Sequence, residues 1–413
     1  MIENKMTSSL LKLALDGQQP VRSSQFPPWP SFEQDEIEAV ERVLRSGKVN
    51  YWTGDEGRSF EREFACFHGV KHAVALMNGT AALEAALFSL GIGMGDEVIV
   101  TPRTFIASAS CVIMRGARPV FADVDPISQN ITADSIEPAI TSRTKAIIAV
   151  HLAGWPCDMD SIMELARRKG LYIIEDCAQA HGAKYKGMVV GSFGDVAAFS
   201  FCQDKIITTG GEGGMVTTNN REIWSKIWSF KDHGKDYDSV YKKKHPSGFR
   251  WLHDTFGTNL RMTEIQAAIG RIQLQKLNDW LLKRKRNADI LSASLKRIKA
   301  LTVNIPPDYI QHAYYKFYSF VKPHLLDTQW NREKIIEAIT AEGMTCLSGS
   351  CSEIYLEKAF LDSEFRMDKR LPVAKKLGET SLMFLVHPTL TEKDMEDMAH
   401  AVEKVMKIAG KPG

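Results

Sequence analysis

The stretch SFCQDKIITTGGEGGM (200–215) carries an apolar run to one lysine, Lys205, and then to four glycines, Gly210, Gly211, Gly213 and Gly214. A lysine at the edge of a buried strand can lose its proton, because burial and nearby positive charge favour the neutral amine. A neutral amine can form a Schiff base with a carbonyl. The glycines suit tight turning where bulkier residues would collide with a cofactor. Upstream, IIEDCAQAHGA (173–183) ends an apolar run on two carboxylates, Glu175 and Asp176. Strand alternation sends one to a site and the other to a helix or solvent, and an unpaired buried charge is costly. Asp176 is assigned to the site, with Gln179 and His181 adding hydrogen-bonding groups just beyond it.

Two further stretches add to this inventory. In MNGTAALEAAL (77–87), Asn78, Gly79 and Thr80 open a helix. Its free N–H groups and positive dipole end suit a phosphate. In TPRTFIASAS (101–110), Phe105 stands just past a strand, where its ring could cover a flat cofactor. Singly, each has a plainer reading: an N-cap, a core aromatic, a capping aspartate. In this order they supply an anion site, an aromatic cover, an acid for a pyridinium proton and an imine-forming lysine. Pyridoxal 5′-phosphate needs that set. GGEGG fits neither the P-loop nor the G-x-G-x-x-G pattern, and GIGMGD (91–96) reads as a helix stop and turn.

The elements that must position these residues follow from the hydrophobic pattern. Short β-rich runs at 72–77, 97–101, 118–124, 146–151, 171–176, 196–201 and 213–219 alternate with helical spacing. Several are continuous apolar runs, as strands buried on both faces read. The intervening GTAALEAALFSLG and DMDSIMELARRKG end in glycine, a helix stop. The fold class expected is α/β, a mainly parallel seven-stranded sheet flanked by helices, with a smaller C-terminal α+β domain. Ligands then collect at the carboxyl ends of the strands. A long helical pattern starts near Met262–Thr263. The division expected is 1–275 for the large domain, including an N-terminal helical segment, and 276–413 for the small one.

Composition narrows the class. Of 413 residues, 52 are Lys or Arg and 50 are Asp or Glu, so the net charge of +2 gives no bias toward nucleic acid or anionic membrane. The basic runs at 242–244 and 283–286 read as solvated faces. No stretch reaches the ~20 apolar residues of a membrane span, and the N-terminal stretch (1–20) is too brief and polar for a signal peptide. The 7 cysteines lack C-x-x-C spacing, which points to reduced thiols in a cytoplasm and to no metal site.

The series LRSGKVNYWTG, NGTAAL, TFIAS, PVFADVD, HLAGWPCDMD, EDCAQAHGA, FSFCQDKIITTGGEGGM, KDHG and GTNLRMTEIQAAIG resembles the DegT/DnrJ/EryC1/StrS family over nearly the whole chain. Those are pyridoxal-phosphate-dependent nucleotide-sugar aminotransferases of the aspartate-aminotransferase fold. The resemblance implies that Lys205 carries the cofactor, Asp176 faces its ring nitrogen, Gln179 lies near its phenolic oxygen and Phe105 stacks on its ring. It implies phosphate binding by Gly79, Thr80 and Ser200, and by Asn259 from the neighbouring subunit, hence a homodimer with shared active sites. The implied substrates are a nucleotide-linked keto sugar and L-glutamate, which leaves as 2-oxoglutarate. A related subgroup of dehydrases has histidine in place of the lysine; this chain keeps Lys205.

The glycine cluster is one residue longer than the usual TTGEGG, and GSCSEIYLEKAF (349–360) replaces a Tyr-x-Pro-Leu-His stretch. The loop type is similar to that of members aminating C4 of a 4-keto-6-deoxy sugar, and a UDP-linked 2-acetamido-4-keto-2,6-dideoxyhexose for bacterial surface polysaccharide (O-antigen, lipopolysaccharide) is expected. Amination at C3 of a 3-keto sugar is the alternative. A non-catalytic regulator would have no need of Lys205. The loop 49–54 and the segment 349–355 are candidates for reading the sugar.

Overall fold

In chain order the principal elements are α1 (Gln34–Ser46), α2 (Glu56–His68), β1 (His72–Leu76), α3 (Gly79–Ser89), β2 (Glu97–Val100), α4 (Ala107–Met114), β3 (Arg118–Phe121), β4 (Thr144–Val150), α5 (Met159–Lys169), β5 (Tyr172–Asp176), β6 (Val196–Ser200), β7 (Gly214–Thr218), α6 (Arg221–Lys231) and α7 (Glu264–Leu295). Then follow β8 (Leu301–Thr302), β9 (Phe317–Val321), α8 (Arg332–Ala341), β10 (Cys346–Leu347), β11 (Ser381–Phe384) and α9 (Glu392–Ala409). The computed structural model describes residues 12–411. The N-terminal stretch read against a signal peptide lies, over residues 1–11, outside the described residues.

All seven expected strands form one sheet in the order β1-β7-β6-β5-β4-β2-β3. From β6 to β3 the neighbours are parallel, while β7 is antiparallel to both β1 and β6. The continuous apolar runs are explained by cover on both faces. On β4, Ile148 and Val150 pack with Ala82, Ala86 and Val112 of α3 and α4. The alternate residues Ile147 and Ala149 pack with Met159, Ile162 and Leu165 of α5. Full burial of each such isoleucine contributes about 1.5–3 kcal/mol.

The second sheet is antiparallel, in the order β8-β9-β11-β10. Its Phe317, Leu382 and Phe384 share a core with Ile335 and Ile339 of α8 and Met398 and Val402 of α9. Helix α7 joins the two bodies. Thr263 caps it: the Thr263 hydroxyl accepts the Gln266 N–H at 3.3 Å, and the Gln266 side chain accepts the Thr263 N–H at 2.9 Å. Its 32 residues span about 48 Å at the helical rise. Ala267, Leu274 and Leu277 belong to the large-domain core, and Ala288, Leu291 and Leu295 to the small-domain core. The division at 275 and 276, which we retain as a proposal, falls inside this helix.

One surface expectation is corrected here. Arg284, within the basic run 283–286, is buried. It falls on the same helical face as Leu277, Leu281 and Ala288, which point into the cores. Its guanidinium donates to the carbonyls of Tyr314 and Tyr315 at 3.3 and 3.4 Å, and burial lowers its pKa to about 9.

Candidate active site

The carboxyl ends of β1, β2, β5 and β6 open onto one cleft of about 780 Å³. Gly79, Thr80, Phe105, Asp176, Gln179, Ser200 and Lys205 all line it. Residues from the second body, among them Tyr315, Lys316, Tyr318 and Ser350, form the opposite wall. A cleft between two bodies at the strand ends is where this architecture places ligands.

Helix α3 begins at the cleft. Asn78 is its N-cap, with Oδ1 accepting the Ala81 N–H at 2.8 Å. The N–H groups of Gly79 and Thr80 therefore have no partner within the helix and stand free for an anion. A Cβ at Gly79 would lie 2.6 Å from the Ser200 Cβ, so glycine is what lets β6 bring the Ser200 hydroxyl against the helix start.

The glycines after Lys205 turn tightly and pass close to the chain's own atoms. A Cβ at Gly214 would lie 2.2 Å from the Asn78 carbonyl oxygen, and one at Gly213 would lie 2.0 Å from the Thr209 hydroxyl. Gly210 and Gly211 have φ of 82° and 127°. They permit tight turning and close contact with protein atoms.

Asp176 is buried at the end of β5. Its Oδ2 accepts the Ser108 hydroxyl at 2.7 Å and its Oδ1 accepts the Ala178 N–H at 3.1 Å. Ser108 is in turn within 2.9 Å of the Thr104 hydroxyl. Burial raises the Asp176 pKa, offset only in part by those two donors and by attraction to Lys205. A buried carboxylate in that state is matched to a cationic ring N–H. Ser108 was not found from the sequence, although it stands only three residues past Phe105 in TFIAS, on the first turn of α4.

Glu175, the neighbouring carboxylate, faces neither a helix nor solvent, contrary to expectation. It is fully buried on the opposite face of β5. It accepts N–H groups from Gly191, Phe193 and Gly194, each at 2.8 Å, and lies 3.1 Å from His151 Nε2. The Cys157 N–H donates to His151 Nδ1 at 3.0 Å, which makes Nε2 the donor to Glu175. The last turn of the chain before β6 is thus tied to the strand that carries Asp176.

Gln179 accepts the Ala153 N–H through Oε1 at 2.8 Å, leaving its NH₂ as a donor for the cleft. Ala153 adopts φ of 57°, a region uncommon for a non-glycine residue. His181 corrects another expectation: it does not line the cleft. It is buried against Phe199 and Phe201, both ring nitrogens lack partners, and burial holds its pKa well below the usual imidazole range. Phe105 is 67% exposed at the cleft mouth.

Lys205 lies in the turn after β6, with its carbonyl accepting the Trp29 indole N–H at 2.9 Å. Its Nζ donates to the Tyr315 hydroxyl at 3.3 Å and lies 3.9 Å from Asp204 Oδ1. Tyr315 and Lys316, just before β9, were not found from the sequence.

Asn259 is exposed and outside the cleft lining; its backbone bridges to Asp232. The segment 349–355 contributes Gly349, Ser350, Cys351 and Ile354 to the cleft. The loop 49–54 does not line it: Trp52 stacks on Tyr241 with centroids 6.1 Å apart. No helix among the described residues is long and apolar enough to cross a membrane.

Comparison with known proteins gives the family and the fold. The family model described as the DegT/DnrJ/EryC1/StrS aminotransferase family matches residues 30–403. A crystal structure of an aminotransferase from Psychrobacter cryohalolentis superposes with a TM-score of 0.91 at 56% identity, covering 92% of this chain and 99% of that one. GDP-perosamine synthase from Caulobacter vibrioides is 39% identical over 360 residues, 86% of this chain and 92% of that protein. The UDP-N-acetyl-3-dehydro-alpha-D-glucosamine 3-aminotransferase of Acidithiobacillus ferrooxidans is 38% identical over 359 residues, 87% of this chain and 90% of that protein.

Proposed function

The chain belongs to the DegT/DnrJ/EryC1/StrS family of pyridoxal-phosphate-dependent sugar aminotransferases, and on that premise we propose that it moves the amino group of L-glutamate to C4 of a UDP-linked 2-acetamido-4-keto-2,6-dideoxy sugar, in the cytoplasm, for bacterial surface polysaccharide. The observation that carries the proposal is the meeting of Lys205, Asp176, Gln179, Phe105 and the start of α3 in one cleft. When bound, pyridoxal phosphate supplies an electron sink and carries the amino group between the two substrates.

The chain's residues then have distinct tasks. Lys205 anchors the cofactor, takes the proton from the donor carbon and later delivers one to the sugar carbon. Asp176 holds a proton on the ring nitrogen. The Gln179 NH₂ donates toward the phenolic oxygen, and Phe105 covers a ring face and excludes water. Gly79, Thr80 and Ser200 receive the phosphate, together with Asn259 of the partner subunit in a homodimer. The surface position of Asn259 supports that last assignment. So do three strongly exposed aromatics before it, Phe249 at 78%, Trp251 at 86% and Phe256 at 98%.

The GDP-perosamine synthase and the 3-aminotransferase are related to this chain at nearly equal identity. Amination at C3 of a 3-keto sugar is therefore the second reading. The test is incubation with glutamate and a panel of UDP- and GDP-linked 3-keto and 4-keto sugars, with the new amine located by mass spectrometry and NMR. An amine at C4 of the UDP-linked 2-acetamido sugar is the expected product. An amine at C3, or no product from any 4-keto sugar, overturns the C4 assignment.

A further inference from the structure

The charged residues lining the cleft are mostly acidic: Asp176, Asp204, Glu212 and Glu357 against Lys205 and Lys316. Both substrates of the proposed reaction are anions, a dicarboxylate donor and a diphosphate-linked sugar. With Lys205 engaged in the chemistry, Lys316 is the one further cation in this wall among the described residues. Its Nζ lies 3.4 Å from Asp204 Oδ2. The Tyr315 hydroxyl donates to the same oxygen, and Lys205 Nζ lies 3.9 Å from Oδ1. Two ammonium groups and a phenol around one carboxylate are a carboxylate-binding set, built from charge-assisted donors.

The occupant of that set is more exposed than its walls. The Asp204 side chain is 52% exposed, against 14% for Lys205 and 16% for Lys316. Asp204 sits in the turn after β6, whereas Tyr315 and Lys316 lead into β9, a strand of the second sheet. A donor whose amino nitrogen comes to the place of the Lys205 amine brings its own carboxylate beside this cluster. It then competes with Asp204 for the same donors.

We propose that Lys316 and Tyr315 form the carboxylate subsite for the amino donor, and that Asp204 fills it until the donor displaces it. This rests on the reading of glutamate as donor. Lys316 supplies the charge, Tyr315 the directional hydrogen bond, and Asp204 compensates the Lys316 ammonium while the subsite holds no substrate.

The test uses the cofactor-loaded enzyme, steady-state kinetics with both substrates, and calorimetry with glutarate, an unreactive dicarboxylate. Lys316→Gln is expected to raise the glutamate KM and the glutarate Kd at least about tenfold, leaving the keto-sugar KM little changed. Lys316→Arg recovers part of the loss. Asp204→Asn tightens glutarate several-fold, and the Lys316→Gln/Asp204→Asn double variant loses that gain. An unchanged glutarate Kd in Lys316→Gln overturns the subsite. So does a raised keto-sugar KM with an unchanged glutamate KM, which assigns Lys316 to the diphosphate. Wild-type enzyme that forms no 2-oxoglutarate from glutamate refutes the donor reading itself; wild-type activity with an unaffected Lys316→Gln refutes only the subsite.

Discussion

At the scale of single residues, two adjacent carboxylates on β5 have opposite fates. Burial pushes both upward in pKa, but at Glu175 the His151 ring and the loop N–H groups outweigh it, and its pKa falls. At Asp176 burial prevails. An aspartate whose folded pKa is raised contributes stability below its unfolded value, about 3.9, and loses it as pH rises through the folded value. Cofactor-free Asp176→Asn is therefore expected to melt no lower than cofactor-free wild type at neutral pH. The same variant should lose turnover by at least about a hundredfold, because an amide cannot hold the ring proton. Thermal melts with and without pyridoxal phosphate, alongside turnover, check both halves; a lower melt with retained activity contradicts the assignment. Lys205→Ala is expected to abolish turnover while the fold persists by circular dichroism, and normal turnover would remove Lys205 from its role. Asp176 and Lys205 were legible as cleft residues because one closes a continuous apolar run and the other follows one closely, where ligands collect in such a sheet. Ser108 and Lys316 were not, since their significance lies in contacts across 68 and 112 residues of chain (Asp176 and Asp204 are their partners).

At the scale of elements, β5 and the 191–194 turn are joined by one side chain. Glutamine at position 175 offers a single carbonyl oxygen and turns an NH₂ toward N–H donors. Glu175→Gln is expected to cost at least about 3 kcal/mol at pH 7, from hydrogen bonds to a charged acceptor lost in a buried site. Because the folded pKa of Glu175 is depressed, its contribution is present above the unfolded value of about 4.3 and disappears as pH falls through the folded one. The gap between wild type and variant in urea unfolding should thus narrow below that value; a gap constant with pH would be evidence against the arrangement. Thr263→Ala, which removes the cap of α7, is expected to cost about 1 kcal/mol by the same measurement. The strands of the large sheet and α7 were legible because burial on both faces writes continuous apolar runs, and a long helical spacing marks α7. The glycines of 210–214 were legible as a turn but not as neighbours of Asn78 and Thr209, because a sequence does not show which backbone passes beside a missing side chain.

At the scale of the whole molecule, a single chain presents a cleft with the proposed cofactor residues on one wall, while Asn259 and the aromatics 249, 251 and 256 are exposed. Light scattering of the purified protein should give twice the chain mass, and Trp251→Glu should shift it toward the monomer and weaken cofactor retention together. A monomeric wild type that keeps its cofactor would contradict the shared site. The central claim, that one amine carries the cofactor inside this cleft, has a direct chemical test. The cofactor-loaded protein is reduced with borohydride, digested, and its peptides are sequenced by mass spectrometry. The account predicts a reduced phosphopyridoxyl group on Lys205; the group on Lys316 or any other lysine, or on none, would contradict it.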